Sequence, residues 1–309
     1  MKVAVVGSGG LGGYFGGRLA RGGEDVHFLA RGPHLEALRE TGLTVESVLG
    51  DFGLEAAGTQ ATADPSEIGP SDIVLFCVKS YDTELVAETV LPPLIGPDTV
   101  VISLQNGIDN EEKIGARVGV EHVAGGVAYI FAGLAGPGVV RHTGGPARLL
   151  FGELDGQRTA RLGSFLGACQ HAGIDAEIAE DIRVSLWTKY GFICAQAGLT
   201  AATRRPIGVI RATPSAWQLF RRVLEEAALV ARAEGVPLPD DLVDRQVALA
   251  ESLAPNLYSS LHDDLVAGRR IELDALLGEL VRRAVRAGGT VSASSTLYAI
   301  IQAQAASAA

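Results

Sequence analysis

A chain of 309 residues with 47% hydrophobic and 20% charged residues is long enough for two domains with their own cores and has an ordinary globular composition. A formal net charge of −10 argues against nucleic acid or an anionic membrane as a partner, although a few placed cations can still govern one pocket. Cys77, Cys169 and Cys194 are far apart and odd in number, which suggests neither a disulfide framework nor a zinc knuckle; with no bilayer-length apolar run and no cleavable signal, the expected compartment is the cytoplasm.

The first thirty-one residues read as strand, turn, helix, strand and a basic residue. Lys2–Val6 is a short β-branched run suited to a strand buried on both faces. Gly7-Ser8-Gly9-Gly10-Leu11-Gly12 follows at once and opens a helix through Tyr14, Phe15, Leu19 and Ala20. In such a turn Gly7 allows the tight bend, Gly9 lets backbone approach a pyrophosphate, and Gly12 lets helix pack on strand. The helix N-terminus adds free N–H groups and a partial positive charge. Between a strand and a helix, this spacing predicts dinucleotide binding. The second strand, Val26–Ala30, ends at Arg31, where an NAD enzyme usually carries Asp or Glu to accept from the ribose 2′-hydroxyl. A guanidinium there suits a 2′-phosphate, so NADPH is favoured over NADH; the alternative is a solvated arginine in the turn Arg31-Gly32-Pro33.

Short β-rich runs then alternate with amphipathic stretches, which predicts a doubly wound α/β sheet. Ile73–Val78 is a buried strand ending in Lys79-Ser80, and Thr99–Leu104 another ending in Gln105-Asn106-Gly107. Ligands sit beyond the carboxyl ends of such strands, where Lys79 and Asn106 fall. Further strands are expected at His122–Tyr129, Val139–His142, Ala147–Phe151 and Asp175–Ile178, with a helix over Arg158–His171. From about residue 179 helical periodicity takes over. Helices are expected at Asp181–Ala197, Pro214–Glu234, Asp240–Ala254, Asn256–Ala267, Glu272–Ala287 and Ser292–Ala305, with turns around Arg204–Gly208, Val236–Asp240 and Gly288-Gly289. The expected domains are therefore residues 1–178, a Rossmann-type dinucleotide-binding domain, and residues 179–309, all-α, with the active site in the cleft between them. The apolar stripe Leu273, Leu276, Leu277 and Leu280 could support a homodimer.

Lysine is scarce, with four against 22 arginines. Lys189 sits in the nearly all-apolar stretch Ser185–Cys194, and arginine could not replace it as an acid. A desolvated ammonium can have a lowered pKa and protonate a developing alkoxide; equally, the stem of a snorkelling lysine could pack on the core. The residues alone leave both readings open. Glu272 could complement a helix dipole, accept from a ribose or hold a neighbouring lysine charged. His262-Asp263 resembles a catalytic pair, but its helical, charged surroundings favour an ordinary exposed or interfacial histidine.

In order, GSGGLG, Arg31, Cys-Val-Lys79-Ser, Gln-Asn106-Gly, Leu-Trp-Thr-Lys189, and Ser260 twelve residues before Glu272 resemble the ketopantoate reductase (2-dehydropantoate 2-reductase) family over essentially the full length. The resemblance implies NADPH-dependent reduction of 2-dehydropantoate to pantoate on the route to pantothenate and coenzyme A. It also implies a C-terminal domain like that of 6-phosphogluconate dehydrogenase. By the same resemblance, Lys189 is the proton donor, and Asn106 lies between nicotinamide and substrate. Glu272 contacts the cofactor and supports the catalytic arrangement, Ser260 hydrogen-bonds the substrate, and Arg31 and Lys79 hold the 2′-phosphate. The chain departs from the pattern where family members often carry asparagines four and eight residues after the lysine: here stand Ile193 and Ala197. Leu257 replaces another asparagine three residues before Ser260, with Asn256 displaced by one, and Ile271 replaces the usual threonine before the glutamate. Each change removes a hydrogen-bonding group, so a different branched or bulkier 2-oxo acid is the alternative substrate. A non-catalytic NADP(H)-binding protein is the alternative from another class.

Overall fold

The computed structural model describes residues 1–306. They form two compact units, one built from Met1–Gln105 and Asn110–Ile182, the other from Asn106–Asp109 and the chain from Arg183 onward. Among the described residues no helix is long and apolar enough to cross a membrane.

The first unit opens with β1 (Lys2–Val6), α1 (Gly10–Arg21), β2 (Asp25–Leu29), α2 (Gly32–Glu40), β3 (Leu43–Ser47), β4 (Phe52–Leu54), β5 (Gln60–Thr62) and β6 (Ile73–Phe76). It continues with α3 (Thr83–Thr89), β7 (Val100–Ser103), α4 (Asn110–Val118), β8 (Val123–Gly136), β9 (Val139–Glu153), α5 (Ala160–His171) and β10 (Asp175–Ile178). Parallel pairing runs β5-β2-β1-β6-β7-β8, so successive crossovers go one way from β1 and the other way from β6. This is the doubly wound, Rossmann-type sheet, and its ligand crevice lies where the order reverses, beyond the carboxyl ends of β1 and β6.

Alternation along each strand explains why the sheet is covered on both faces. Val3, Val5, Ile73, Leu75, Val100 and Ile102 pack with Phe15 and Leu19 of α1 and Leu162 and Phe165 of α5. Ala4, Val6, Val74, Phe76 and Val101 face the other way, onto Ala87 of α3 and Ile114 of α4. Strands buried on two sides lose the polar alternation of a half-exposed sheet, which is why they read as continuous apolar runs.

The three short strands expected between residues 122 and 151 are instead one long hairpin, because β9 runs unbroken through Gly144-Gly145-Pro146. Glycine, glycine and proline read as a turn, yet they sit at a bulge. Register shifts flank Phe131, and Gly145 and Ala147 take φ values of 82° and 53°. The first part of β9 pairs parallel with β3, which in turn pairs antiparallel with β4.

The second unit is helical: α6 (Ile182–Thr203), α7 (Ile207–Ala212), α8 (Pro214–Ala233), α9 (Leu242–Ser252), α10 (Ser260–Val266), a π-helical turn at Asp274–Gly278, α11 (Glu279–Arg286) and α12 (Ser292–Ala306). Four elements differ from expectation, among them the helix expected at Glu272–Ala287, which is the π-helical turn followed by α11. α6 runs past Ala197 to Thr203, with Arg204 at φ 54° just beyond it. The turn expected at Arg204–Gly208 contains the start of α7, which Pro206 opens as N-cap. α10 starts four residues late because Ser259 caps it, its hydroxyl accepting the His262 N–H at 3.1 Å.

The stripe offered for a homodimer is not on the surface. Leu273, Leu276, Leu277 and Leu280 are buried within this single chain, where they fill the core. Trp187 is buried against Tyr190 at 5.4 Å, and Trp217 is half-buried, stacked on Phe220 at 4.8 Å.

Candidate active site

In the first unit the glycine turn lies at the switch point of the sheet. Gly7 has φ 96°, and a Cβ there would come within 2.8 Å of the Cys77 carbonyl carbon at the end of β6. A Cβ on Gly12 would sit 2.3 Å from the Gly7 oxygen and 2.8 Å from Val5 Cγ1, so only glycine lets α1 lie this close to β1. Gly9 is different: a Cβ there meets nothing within 4 Å. It is the N-cap of α1 with no side chain capping the helix and no acidic residue in the first turn. Open space beside an uncapped N-terminus is the geometry that receives an anionic group. Ser8 is buried, its hydroxyl donating to the Leu29 carbonyl at 2.8 Å and tying the turn to β2.

Gly10 lies against the hairpin, since a Cβ there would fall 2.5 Å from the Ala132 oxygen, and Leu11 is half-buried beside it. Arg31 is exposed at the N-cap of α2, two residues past β2. No acidic side chain among the described residues pairs with it, so its charge is available to a ligand. Lys79 is exposed three residues beyond β6, at the head of a 3-10 turn, Ser80–Asp82.

Two anchoring roles, those of His34 and Gln105, were not read from the sequence. His34 of α2 sits 2.8 Å from the Ser8 carbonyl through Nε2 and accepts the Gly138 N–H through Nδ1 at 3.0 Å. Because Nδ1 accepts, Nε2 carries the proton and donates to Ser8, clamping the turn to the hairpin. Gln105, just past β7, donates to the Val78 carbonyl at 2.9 Å and to the Thr83 hydroxyl at 2.8 Å, which fixes the chain around Lys79. His34 belongs to no motif and Gln105 was read only as part of Gln-Asn106-Gly, because their partners lie far away in sequence.

In the second unit Lys189 lies on α6, between the buried rings of Trp187 and Tyr190 in sequence, with its own side chain half-buried. Burial pushes its pKa down to about 8, while the nearby Glu272 charge pulls it the other way. The Tyr190 hydroxyl donates to the Leu276 carbonyl at 2.7 Å, and the Leu276 N–H reaches the Glu272 carbonyl at 3.2 Å, so α6 is tied to the segment carrying the glutamate. Glu272 is buried two residues before the π-helical turn Asp274–Gly278 rather than in the first turn of a plain α-helix. A lysine and a glutamate so placed leave an ammonium able to release its proton near neutral pH.

Asn106 is half-buried in the short segment Asn106–Asp109. Arg283 of α11, buried itself, donates to the Ile108 carbonyl at 3.2 Å and pairs with Glu234 at 2.7 Å and Glu279 at 3.0 Å. That network anchors the asparagine's segment, and only its i,i+4 pair, Glu279 with Arg283, is local in sequence. Ser260 is exposed in the first turn of α10, whereas its neighbour Ser259, not singled out from sequence, bonds the Thr200 hydroxyl of α6 at 2.7 Å. Ile193 and Leu257 are half-buried and Ala197 is buried. Leu257 is held by its carbonyl, which accepts the Ile207 N–H at 3.0 Å. His262 stacks on Tyr258 at 4.1 Å with its ring bonded to Asp263, a packed rather than an exposed histidine.

Comparison with known proteins matches residues 3–156 to the family model described as "Ketopantoate reductase PanE/ApbA" and residues 181–305 to "Ketopantoate reductase PanE/ApbA C terminal". The chain is 35% identical over 302 residues to the uncharacterized oxidoreductase YkpB of Bacillus subtilis, covering 98% of each chain. It is 33% identical to the 2-dehydropantoate 2-reductase of Halobacterium salinarum, covering 92% of each. The crystal structure of a PanE/ApbA family ketopantoate reductase from Ralstonia eutropha JMP134 superposes with a TM-score of 0.91 at 36% identity, covering 100% of this chain and 99% of that one. With both family models matched along the chain and relatives aligned nearly end to end, this protein belongs to the ketopantoate reductase family of oxidoreductases.

Proposed function

We propose that the chain is an NADPH-dependent reductase of 2-oxo acids whose substrate is 2-dehydropantoate, reduced to pantoate for pantothenate and coenzyme A synthesis. The observation that carries this reading is Lys189, the sole lysine of the second unit, with a pKa lowered to about 8 beside a buried glutamate. Its ammonium is a proton donor matched to neutral pH, which arginine could not be.

The open space at Gly9, the uncapped start of α1 and the unpaired Arg31 fit a dinucleotide with an extra phosphate. Residues Gly7 to Gly12 would cradle its pyrophosphate, and Arg31 and Lys79 would hold the 2′-phosphate. The bound cofactor supplies the hydride that the ketone carbon receives. Lys189 gives its proton to the carbonyl oxygen as negative charge gathers there, leaving a neutral amine that solvent reprotonates. Glu272 keeps the ammonium charged until that moment and contacts the cofactor. Asn106 orients the nicotinamide and the substrate, and Ser260 donates to the substrate. A small molecule is the only partner this chemistry requires.

Ile193, half-buried one turn beyond Lys189, and Leu257 favour a second reading in which the oxo acid is branched or bulkier. A panel of 2-oxo acids assayed with NADPH decides between them. Preference for 2-dehydropantoate supports the first reading, preference for another acid supports the second, and cofactor binding without any turnover rejects both.

A further inference from the structure

On α6 the residues facing the same way as Lys189 form a stripe. At 100° per residue, Gln196 falls about 20° from Lys189, Thr200 about 20° to the other side and Ile193 about 40° away. The stripe is held at both ends. Glu272 acts on Lys189 at one end, and Thr200 bonds the α10 N-cap residue Ser259 at 2.7 Å at the other. Gln196 lies between them, and only 7% of its surface is exposed. Its Nε2 is fully buried yet has no hydrogen-bond partner among the described residues. A native interior pairs nearly all such groups, so an unpaired amide N–H on this face calls for an explanation.

The rest of the stripe cannot provide a donor there. Ile193 and Ala197 are apolar, and the Thr200 hydroxyl is already committed to the Gln196 carbonyl and to Ser259. We infer that Gln196 is a specificity-determining residue whose amide hydrogen-bonds a hydroxyl on the side chain of the 2-oxo acid. The inference rests on the reductase reading above. An amide both donates from Nε2 and accepts at Oε1, and a hydroxyl does both in return, whereas a carboxylate would use only the donor. The rise of about 10 Å between Lys189 and Gln196 leaves room for two hydrogen bonds of about 3 Å with the four-carbon chain of the acid between them. Gln196 thus compensates for the hydrogen-bonding groups missing at Ile193 and Ala197.

The test compares kcat/KM, with NADPH, for 2-dehydropantoate and for 3,3-dimethyl-2-oxobutanoate, which differs only in lacking the hydroxyl. Wild type prefers the hydroxylated acid by about tenfold or more, and Gln196→Leu reduces that preference at least about tenfold, mainly through KM. The ligand-free Tm of Gln196→Leu does not fall, because the substitution removes an unsatisfied donor. Gln196→Met, of similar length and without a donor, gives the same loss of preference. Equal losses on both acids, or a lowered Tm in both variants, assign Gln196 a structural role and overturn the inference. Wild type that reduces both acids without preference overturns it and leaves the reductase reading standing; wild type that reduces no 2-oxo acid overturns the reductase reading, and the inference with it.

Discussion

At the scale of single residues, two glycines three residues apart, Gly9 and Gly12, predict opposite phenotypes. Gly12→Ala forces a methyl to within 2.3 Å of the Gly7 oxygen, so α1 must shift and the protein loses Tm together with cofactor affinity. Gly9→Ala meets no protein atom within 4 Å, so Tm is retained while the methyl occupies the space proposed for the pyrophosphate. Thermal unfolding beside a fluorescence titration with NADPH separates the two; loss of Tm in Gly9→Ala would contradict the open space. Arg31→Ala, removing an exposed guanidinium with no acidic partner, weakens NADPH by about 1.5–3 kcal/mol, the scale of a charge-assisted hydrogen bond. NADH is nearly unaffected, and equal weakening of both cofactors in the same titration would count against a 2′-phosphate contact. Lys189→Ala lowers kcat by roughly 10²-fold or more, the usual scale for a lost general acid, in steady-state assays at neutral pH.

At the scale of elements, α6 carries Lys189 and α11 braces the segment of Asn106, each through partners far along the chain. α6 is tied down by Tyr190 to Leu276, Thr200 to Ser259 and the Arg183 guanidinium to the Glu234 carbonyl, while on α11 the buried Arg283 bridges Glu234, Glu279 and the Ile108 carbonyl. Removing one member of a buried ionic cluster strands its partners, so Arg283→Met costs about 3–5 kcal/mol in urea unfolding. Where the variant folds, its KM for the oxo acid rises because Asn106 loses its anchor, and an unchanged KM would deny Arg283 that positioning role. Distance along the chain also explains what could be read in advance. The parallel strands and the glycine turn were legible because their demands are local: β-branched runs, a tight bend, a close helix–strand approach. The β8–β9 hairpin was misread because a bulge and a turn draw on the same residues, Gly144-Gly145-Pro146. The anchoring roles of His34, Gln105, Ser259 and Arg283 stayed hidden because the contacts that define them reach groups distant in sequence, and no spacing announces such a partner. The leucines of 273–280 were legible as apolar, but apolarity does not say whether a face meets its own core or another chain.

At the scale of the whole molecule, a net charge of −10 gives no general attraction for anions, so binding of an anionic cofactor and an anionic acid must rest on a few placed cations. Raising ionic strength therefore weakens NADPH more than NADH, a difference that isothermal titration at two salt concentrations measures. Saturating cofactor also stabilises the fold by mass action, about 2.7 kcal/mol at a hundredfold excess over Kd, visible as a rise in Tm. The proposed reaction itself turns on the protonation state of Lys189, whose burial brings its pKa to about 8. Reduction needs the ammonium, and oxidation of the 2-hydroxy acid product needs the neutral amine. The decisive measurement is kcat/KM against pH in both directions. The account predicts that reduction falls and oxidation rises as pH passes through about 8, with both limbs absent in Lys189→Ala. Flat profiles across that range, or limbs that persist in Lys189→Ala, would contradict it.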